Sequence, residues 1–294
     1  MTFSVLINNY NYGSFIGEAI ESVLSQTFGD FELIIVDDGS HDDSREVIGR
    51  YGDDRIRKIF KENGGQASAL NAGWAETRGK YVALLDSDDR WLPTKLEAVL
   101  AALEGRRGVA MLQHRLNRID REGRKLAEPP VGHWISPGTY DMKRYVLRTH
   151  SPPIITVTSG MVAAREAVDR CFPLDEGWRV SADAALSARA VGCGSFTFLG
   201  DILGDYRLHG SNQFFGERER VVQHGFDRER RERALVGELN THSCGGAVRI
   251  ERGSFQLRRR MARILPGPLG TLVGKAVVKV RRTRALAGAR LDDA

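Results

Sequence analysis

The chain opens on a short apolar run, Phe3–Ile7, and then places Ile16, Ala19, Ile20, Val23 and Leu24 at helical spacing. The run predicts a buried strand and the spaced set an amphipathic helix, with Ser14 as its N-cap. The alternation continues. Phe31–Val36, Ile56–Phe60, Tyr81–Leu85 and Val109–Gln113 read as strands, and Ser44–Tyr51 and Ala67–Thr77 as helices. A further helix carries Leu96, Val99, Leu100 and Leu103 and opens at Pro93, where the missing N–H costs nothing. Such alternation predicts an α/β fold, a mostly parallel sheet sandwiched by helices. Residues 115–153, rich in Gly, Pro, His and charge, read as long loops. A second apolar set follows, with Thr156–Val162, a helix over Ala182–Val191, and Ser195–Leu199. From Gly216 the chain is strongly charged, which predicts a solvated helical extension over 216–294.

Composition adds little: 41% hydrophobic and 28% charged residues are ordinary for a soluble globular protein. A net charge of +5 permits an anionic partner without naming one. Three cysteines, with no C-x-x-C pair, argue against a disulfide framework or structural zinc and for a reducing, cytoplasmic setting. The first residues lack the basic and long apolar regions of a signal peptide, and no run reaches the roughly 20 apolar residues of a spanning helix. Within Thr271–Arg284, Leu272, Val273, Ala276, Val277 and Val280 share one helical face, and Lys275, Lys279 and Arg282 another. That basic amphipathic pattern suits peripheral contact with an anionic membrane face, as well as packing on the domain itself.

Candidate chemistry follows from position. Four polar clusters each directly follow a predicted strand: Asn8–Asn11, Asp37–Ser40, Lys61–Gly65 and Asp86–Asp89. In a parallel sheet all four lie at the carboxyl edge, where open α/β sheets bind ligands. Asp86 and Asp88, two apart where a strand ends, suit one hard divalent cation, Mn²⁺ or Mg²⁺, whose shell substrate phosphates complete. The same stretch also fits an acidic turn with Asp89 capping the next helix. Asp38 suits a hydrogen bond to a base or ribose, and Tyr10 stacking on the base. Asn63–Gln66 together with Asn71–Gly73 would let backbone approach a diphosphate. No G-x-G-x-x-G or G-x-x-x-x-G-K-[ST] is present, so dinucleotide and P-loop readings have no support.

Asn9-Tyr-Asn-Tyr-Gly-Ser-Phe, Ser25-Gln-Thr-Phe-Gly-Asp-Phe-Glu-Leu-Ile-Ile-Val-Asp-Asp-Gly-Ser and Leu85-Asp-Ser-Asp-Asp together resemble the signature of the family 2 glycosyltransferases, from about Ser4 to His209. The resemblance implies a GT-A fold and an inverting, metal-dependent transfer from a nucleotide-sugar donor, UDP-sugar first, to an acceptor hydroxyl. It implies that Tyr10 and Asp38 hold the nucleotide base with Asn8 nearby, that Asp86 meets ribose or metal, and that Asp88 ligates the metal; Asn71, from the diphosphate stretch above, joins the expected nucleotide-binding set. Asp183, six residues before Arg189, fits the family's general base, although Ala182, Ala184 and Ala185 depart from its usual flanks. Tyr206-Arg-Leu-His-Gly-Ser resembles the closing motif, which brings Arg207 to the diphosphate and His209 to the metal. The expected organisation is a domain over 1–215, with a nucleotide-binding half (1–114) and an acceptor-side half (115–215), followed by the 216–294 extension. Trp134, Tyr140 and Trp178 fall in the acceptor-side half, as acceptor contacts or as core.

Two rival functions stay open. A sugar nucleotidyltransferase would want a charged Gly-rich loop after the first strand, which Asn8–Gly13 lacks. A non-catalytic carbohydrate-binding protein would not need Asp86, Asp88 and Asp183. Nucleic-acid binding has no recognisable module behind it.

Overall fold

The computed structural model describes residues 1–149, 153, 156–210, 212, 234–239 and 288–291. In chain order the elements are β1 (Phe3–Asn9), α1 (Gly13–Leu24), β2 (Phe31–Asp38), α2 (Ser44–Gly49), β3 (Ile56–Lys61), α3 (Gln66–Glu76), β4 (Tyr81–Asp86), β5 (Arg90–Trp91) and α4 (Lys95–Leu103). They continue with β6 (Val109–Ile119), β7 (Gly138–Tyr140), α5 (Met142–Thr149), β8 (Met161–Ala164), α6 (Arg165–Val168), α7 (Ala182–Ala190), β9 (Ser195–Arg207) and β10 (Arg290–Leu291). One sheet runs β10-β7-β9-β6-β8-β4-β1-β2-β3, with β5 paired to β9.

The strands β3, β2, β1 and β4 are parallel, as the alternation predicts. β1, β2 and β4 are buried on both faces and so read as continuous apolar runs, whereas β3 closes the edge of the sheet and is half-buried. Alternate residues serve different layers: Leu6, Ile34, Val36, Val82 and Leu84 meet α3 and α7, whereas Val5, Ile7, Leu33, Ile35 and Leu85 meet α1 and α4. Each fully buried Leu, Ile or Val contributes about 1.5–3 kcal/mol. β8 runs antiparallel between β4 and β6, and β6 is again parallel to β9. The sheet is therefore mixed on its second side.

Residues 115–153 depart from the loop expectation. β6 extends to Ile119, and β7 and α5 follow. The part of β6 beyond Gln113 was hidden because His114 is polar yet buried, and Asn117 bonds Asp205 across to β9 (2.9 Å). α5 did carry a signal, with Met142, Tyr145 and Val146 buried at i, i+3 and i+4. Ser14 is not a cap: α1 opens after Tyr12 with no side-chain cap. Cys171 is buried, with its Sγ 3.7 Å from that of Cys193.

Of the extension, residues 234–239 are helical and Arg290–Leu291 form a strand antiparallel to β7. The Thr271–Arg284 segment lies outside the described residues. Among the described residues no helix is long and apolar enough to cross a membrane.

One glycine shows how tightly the first layer closes. A Cβ on Gly79, just before β4, would lie 2.3 Å from the Ser4 backbone nitrogen and 2.5 Å from the Phe3 carbonyl carbon. Backbone cannot swing aside as a side chain can, so Gly79→Ala should destabilise the fold by about 1–3 kcal/mol. A urea midpoint unchanged from the parent would contradict this close approach.

Candidate active site

β1, β2, β3 and β4 end together at one edge, and the four polar clusters stand there in register, with Asn8 opposite Asp86 and Asn9 opposite Asp37. Asp86, partly exposed, takes a long 3.5 Å contact from the Asn8 side-chain amide, whose own oxygen is buried without a partner. Asp88 is buried, and its Oδ2 accepts from His209 Nε2 (2.9 Å) and Asn212 Nδ2 (3.3 Å). The His209 ring stacks on Phe15 at 4.7 Å and meets the edge of Tyr12, leaving its buried Nδ1 without a partner.

Asp89 does not cap a helix. α4 begins six residues later, after Thr94. Fully buried, Asp89 instead accepts from Ser159 Oγ (2.5 Å) and from the Arg207 backbone N–H (2.8 Å). Ser159 is a hub. Its hydroxyl also accepts from the Asp86 N–H (3.0 Å), and its carbonyl accepts from Trp91 Nε1 (3.0 Å) and from the ammonium of buried Lys95 (3.2 Å). The bent Asp86–Asp89 loop is thus bolted to the turn that starts β8.

Burial leads the electrostatics, and the crowding of carboxylates adds to it. Burial, then Asp88, then Asp183 push the Asp86 carboxyl up to about 8. Burial together with Asp88 and Asp86 also raises Asp89. Two like charges held this close in a dry site disfavour ionising both. The Tyr12 and Tyr206 phenols are likewise raised, first by burial and then by the neighbouring aspartates, and so stay protonated. The influence of Asp183 on Asp86 brings the start of α7 to the same cluster. Asp183 lies in the first turn of that helix, where its Oδ1 accepts from the Ala184 N–H (2.8 Å).

Other expected site residues have different neighbours. Asp38 accepts from the N–H groups of Gly64 (3.0 Å) and Gly65 (2.7 Å) and from the Lys61 ammonium (2.8 Å). A carboxylate offers about four acceptor positions, so one is left for a ligand. Gly65, at φ +88, turns the chain into α3, and a Cβ there would strike the Arg179 backbone at 2.7 Å. Tyr10 is half-exposed at the end of β1. Asn71 is committed elsewhere, bonding the Leu174 backbone through both its amide nitrogen (2.9 Å) and its oxygen (2.7 Å). Arg207 is fully buried, donating to the carbonyls of Asp88 and Arg121 (2.8 Å each) and to Glu18 (2.6 Å). It shapes the acidic loop from behind. Arg189 pairs with Glu238 (2.7 Å) and bonds the Cys171 and Pro173 carbonyls, away from the cluster. His209 contacts the Asp88 carboxylate through Nε2. Among the described residues no three His, Cys, Asp or Glu side chains converge to hold a metal ion.

Sequence reading missed Ser159, Glu18 and Asn212. Ser159 alone left a trace, a small polar run Thr158-Ser-Gly immediately before an apolar strand. Glu18 and Asn212 act over separations of 189 and 124 residues, which no local pattern reports.

The fold is that of solved GT-A transferases. S. aureus TarS (residues 1–349), solved with UDP-GlcNAc, superposes with a TM-score of 0.59 at 16% identity, covering 98% of this chain and 91% of that one. Mannosyltransferase PcManGT from Pyrobaculum calidifontis, solved with GDP-Man and Mn²⁺, gives 0.56 at 16% identity, covering 99% and 88%. An uncharacterised glycosyltransferase of Nostoc sp. is 37% identical over 217 residues, 72% of this chain and 66% of that protein. The model of glycosyl transferase family 2 matches residues 4–170, more than half of the chain, and the chain belongs to that family.

Proposed function

We propose that this protein is a metal-dependent, inverting glycosyltransferase that moves a sugar from a nucleotide diphosphate, UDP first, to an acceptor hydroxyl in polysaccharide, glycolipid or glycoconjugate synthesis. The observation that carries the reading is the placement of Asp86 and Asp88 at the carboxyl end of β4, with Asp183 near enough to help raise the Asp86 carboxyl. Tyr10 and the one open position on Asp38 face the nucleotide base, and Asn8 orients Asp86. Asp86 and Asp88 match a Mg²⁺- or Mn²⁺-type ion, which takes one or two carboxylates from protein and the rest from phosphates and water. When bound, the ion offsets charge growing on the leaving diphosphate. Asp183 takes the proton of the acceptor hydroxyl as its oxygen attacks the anomeric carbon, a role that supplies about 10²–10⁴-fold in rate. Arg207 and His209 hold Asp88 in place.

Calorimetry with UDP, TDP and GDP, each with and without EDTA, tests this. Binding of one nucleotide that weakens on chelation is expected; equal, metal-independent binding of all three would remove the site. The pH dependence has a defined sign. The raised Asp86 holds a proton below about 8, so a cation must displace it, and cation affinity should rise with pH through that value. In the cation-free chain, the same group stabilises the fold fully below its ordinary value of 3.8 and loses that contribution as pH rises through 8.

A further inference from the structure

The acceptor-side aromatics separate cleanly in the structure. Tyr140 and Trp178 are core, whereas Trp134 is 47% exposed. Trp134 sits on a fixed turn. Val131, before it, is buried and bonds Leu116 of β6 in both directions (2.8 and 3.3 Å). Ile135, after it, is buried, its N–H bonds the Gly132 carbonyl (3.0 Å), and its own carbonyl accepts from Arg115 (3.3 Å). The indole is therefore held out into water between two anchored neighbours. Beside it, exposed His133 meets the indole edge-on at 5.2 Å, and its Nδ1 is 2.9 Å from the Pro130 carbonyl. A carbonyl can only accept, so Nδ1 carries the proton and Nε2 of the neutral ring is an acceptor.

The turn and the Ser159 segment both border Thr156. A Cβ on Gly132 would lie 3.1 Å from Thr156, and one on Gly160 would lie 2.8 Å from Thr156 Oγ1. The neighbour of Gly160 is Ser159, which holds Asp86. No other large apolar side chain between 120 and 140 is exposed, so the turn offers a single flat ring with a hydrogen-bonding rim. A helix or membrane would need a broader apolar face. A pyranose matches, with one face of C–H groups for the indole and hydroxyls for His133.

We propose that residues 132–135 form a carbohydrate subsite for the acceptor, Trp134 supplying the stacking face and His133 a hydroxyl contact. The subsite rests on the glycosyltransferase reading, which makes a saccharide acceptor the occupant. Acceptor transfer and donor binding are separate readouts of the two.

The chain supplies its own probe. Of its four tryptophans, Trp74, Trp91 and Trp178 are buried, so acrylamide-quenchable emission reports Trp134. The full chain, Trp134→Ala and Trp134→Phe are applied with UDP and Mn²⁺ to an array of α- and β-linked hexose and N-acetylhexosamine oligosaccharides, and calorimetry measures UDP binding in parallel. Expected are glycans that protect Trp134 from acrylamide, bind Trp134→Ala at least about tenfold more weakly, and bind Trp134→Phe nearly as well as the parent. UDP affinity should be the same in all three. Equal glycan binding by Trp134→Ala, or UDP binding without any glycan binding, overturns the subsite and leaves the glycosyltransferase reading standing. A parent chain that binds no nucleotide overturns that reading and the subsite with it.

Discussion

Asp183→Asn should lower transfer to the acceptor by about 10²–10⁴-fold while leaving nucleotide and cation binding intact. The asparagine oxygen can still accept from the Ala184 N–H, as the carboxylate does at 2.8 Å, and asparagine suits a helix start nearly as well as aspartate. Fold and melting temperature should therefore stay close to the parent's. The contrast between intact donor binding and lost turnover separates an enzyme from a protein that merely binds sugars. Near-parental turnover in a folded variant would remove Asp183 from the base role and move attention to Asp175 and Glu176. Asp175 already accepts from the Gly177 N–H (2.9 Å) and Glu176 from Ser68 (3.1 Å), so both are held in this loop.

Asp88→Asn should fail differently. The carboxylate accepts from both His209 and Asn212 on one oxygen, and the amide oxygen can keep those contacts while the negative charge is lost. The chelation-sensitive part of donor affinity should disappear, and turnover should fall by at least about 10²–10³-fold with it. The Asp88 charge is also a cause of the raised Asp86 carboxyl, so the pH at which Asp86 titrates should drop below the parent's 8. Carboxyl ¹³C shifts followed by NMR against pH read that directly. An unchanged Asp86 titration together with undiminished EDTA sensitivity would show that Asp88 is not part of a cation site.

Much of the first half was written in local pattern. Strands β1, β2 and β4 are apolar because both faces are covered, and the clusters that end β1 to β4 fall at one edge because the strands are parallel. The acidic loop was legible for the same reason. What stayed hidden depends on partners far along the chain. Asp89 looked like a helix cap until Ser159 and the Arg207 N–H were found on its two oxygens. Asn71 looked like part of a phosphate loop, but its amide matches the backbone of Leu174, 103 residues away. Arg207 carries a family motif, yet the structure buries its guanidinium among carbonyls. β6 was read short because a strand paired on both sides can bury a histidine such as His114, whose polarity resembles that of a loop.

The double anchorage of Asp89 has a consequence for the order in which the site comes into being. Its two partners lie 70 and 118 residues further along the chain, and such distant closures come late because chain entropy must be lost before they form. During synthesis, strands β1 to β4 can emerge with their carboxylates already written, but without the contacts that bend the acidic loop. That loop takes its shape only once the chain has passed residue 207, so a growing polypeptide carries no finished acidic loop until nearly all of its sheet has been made.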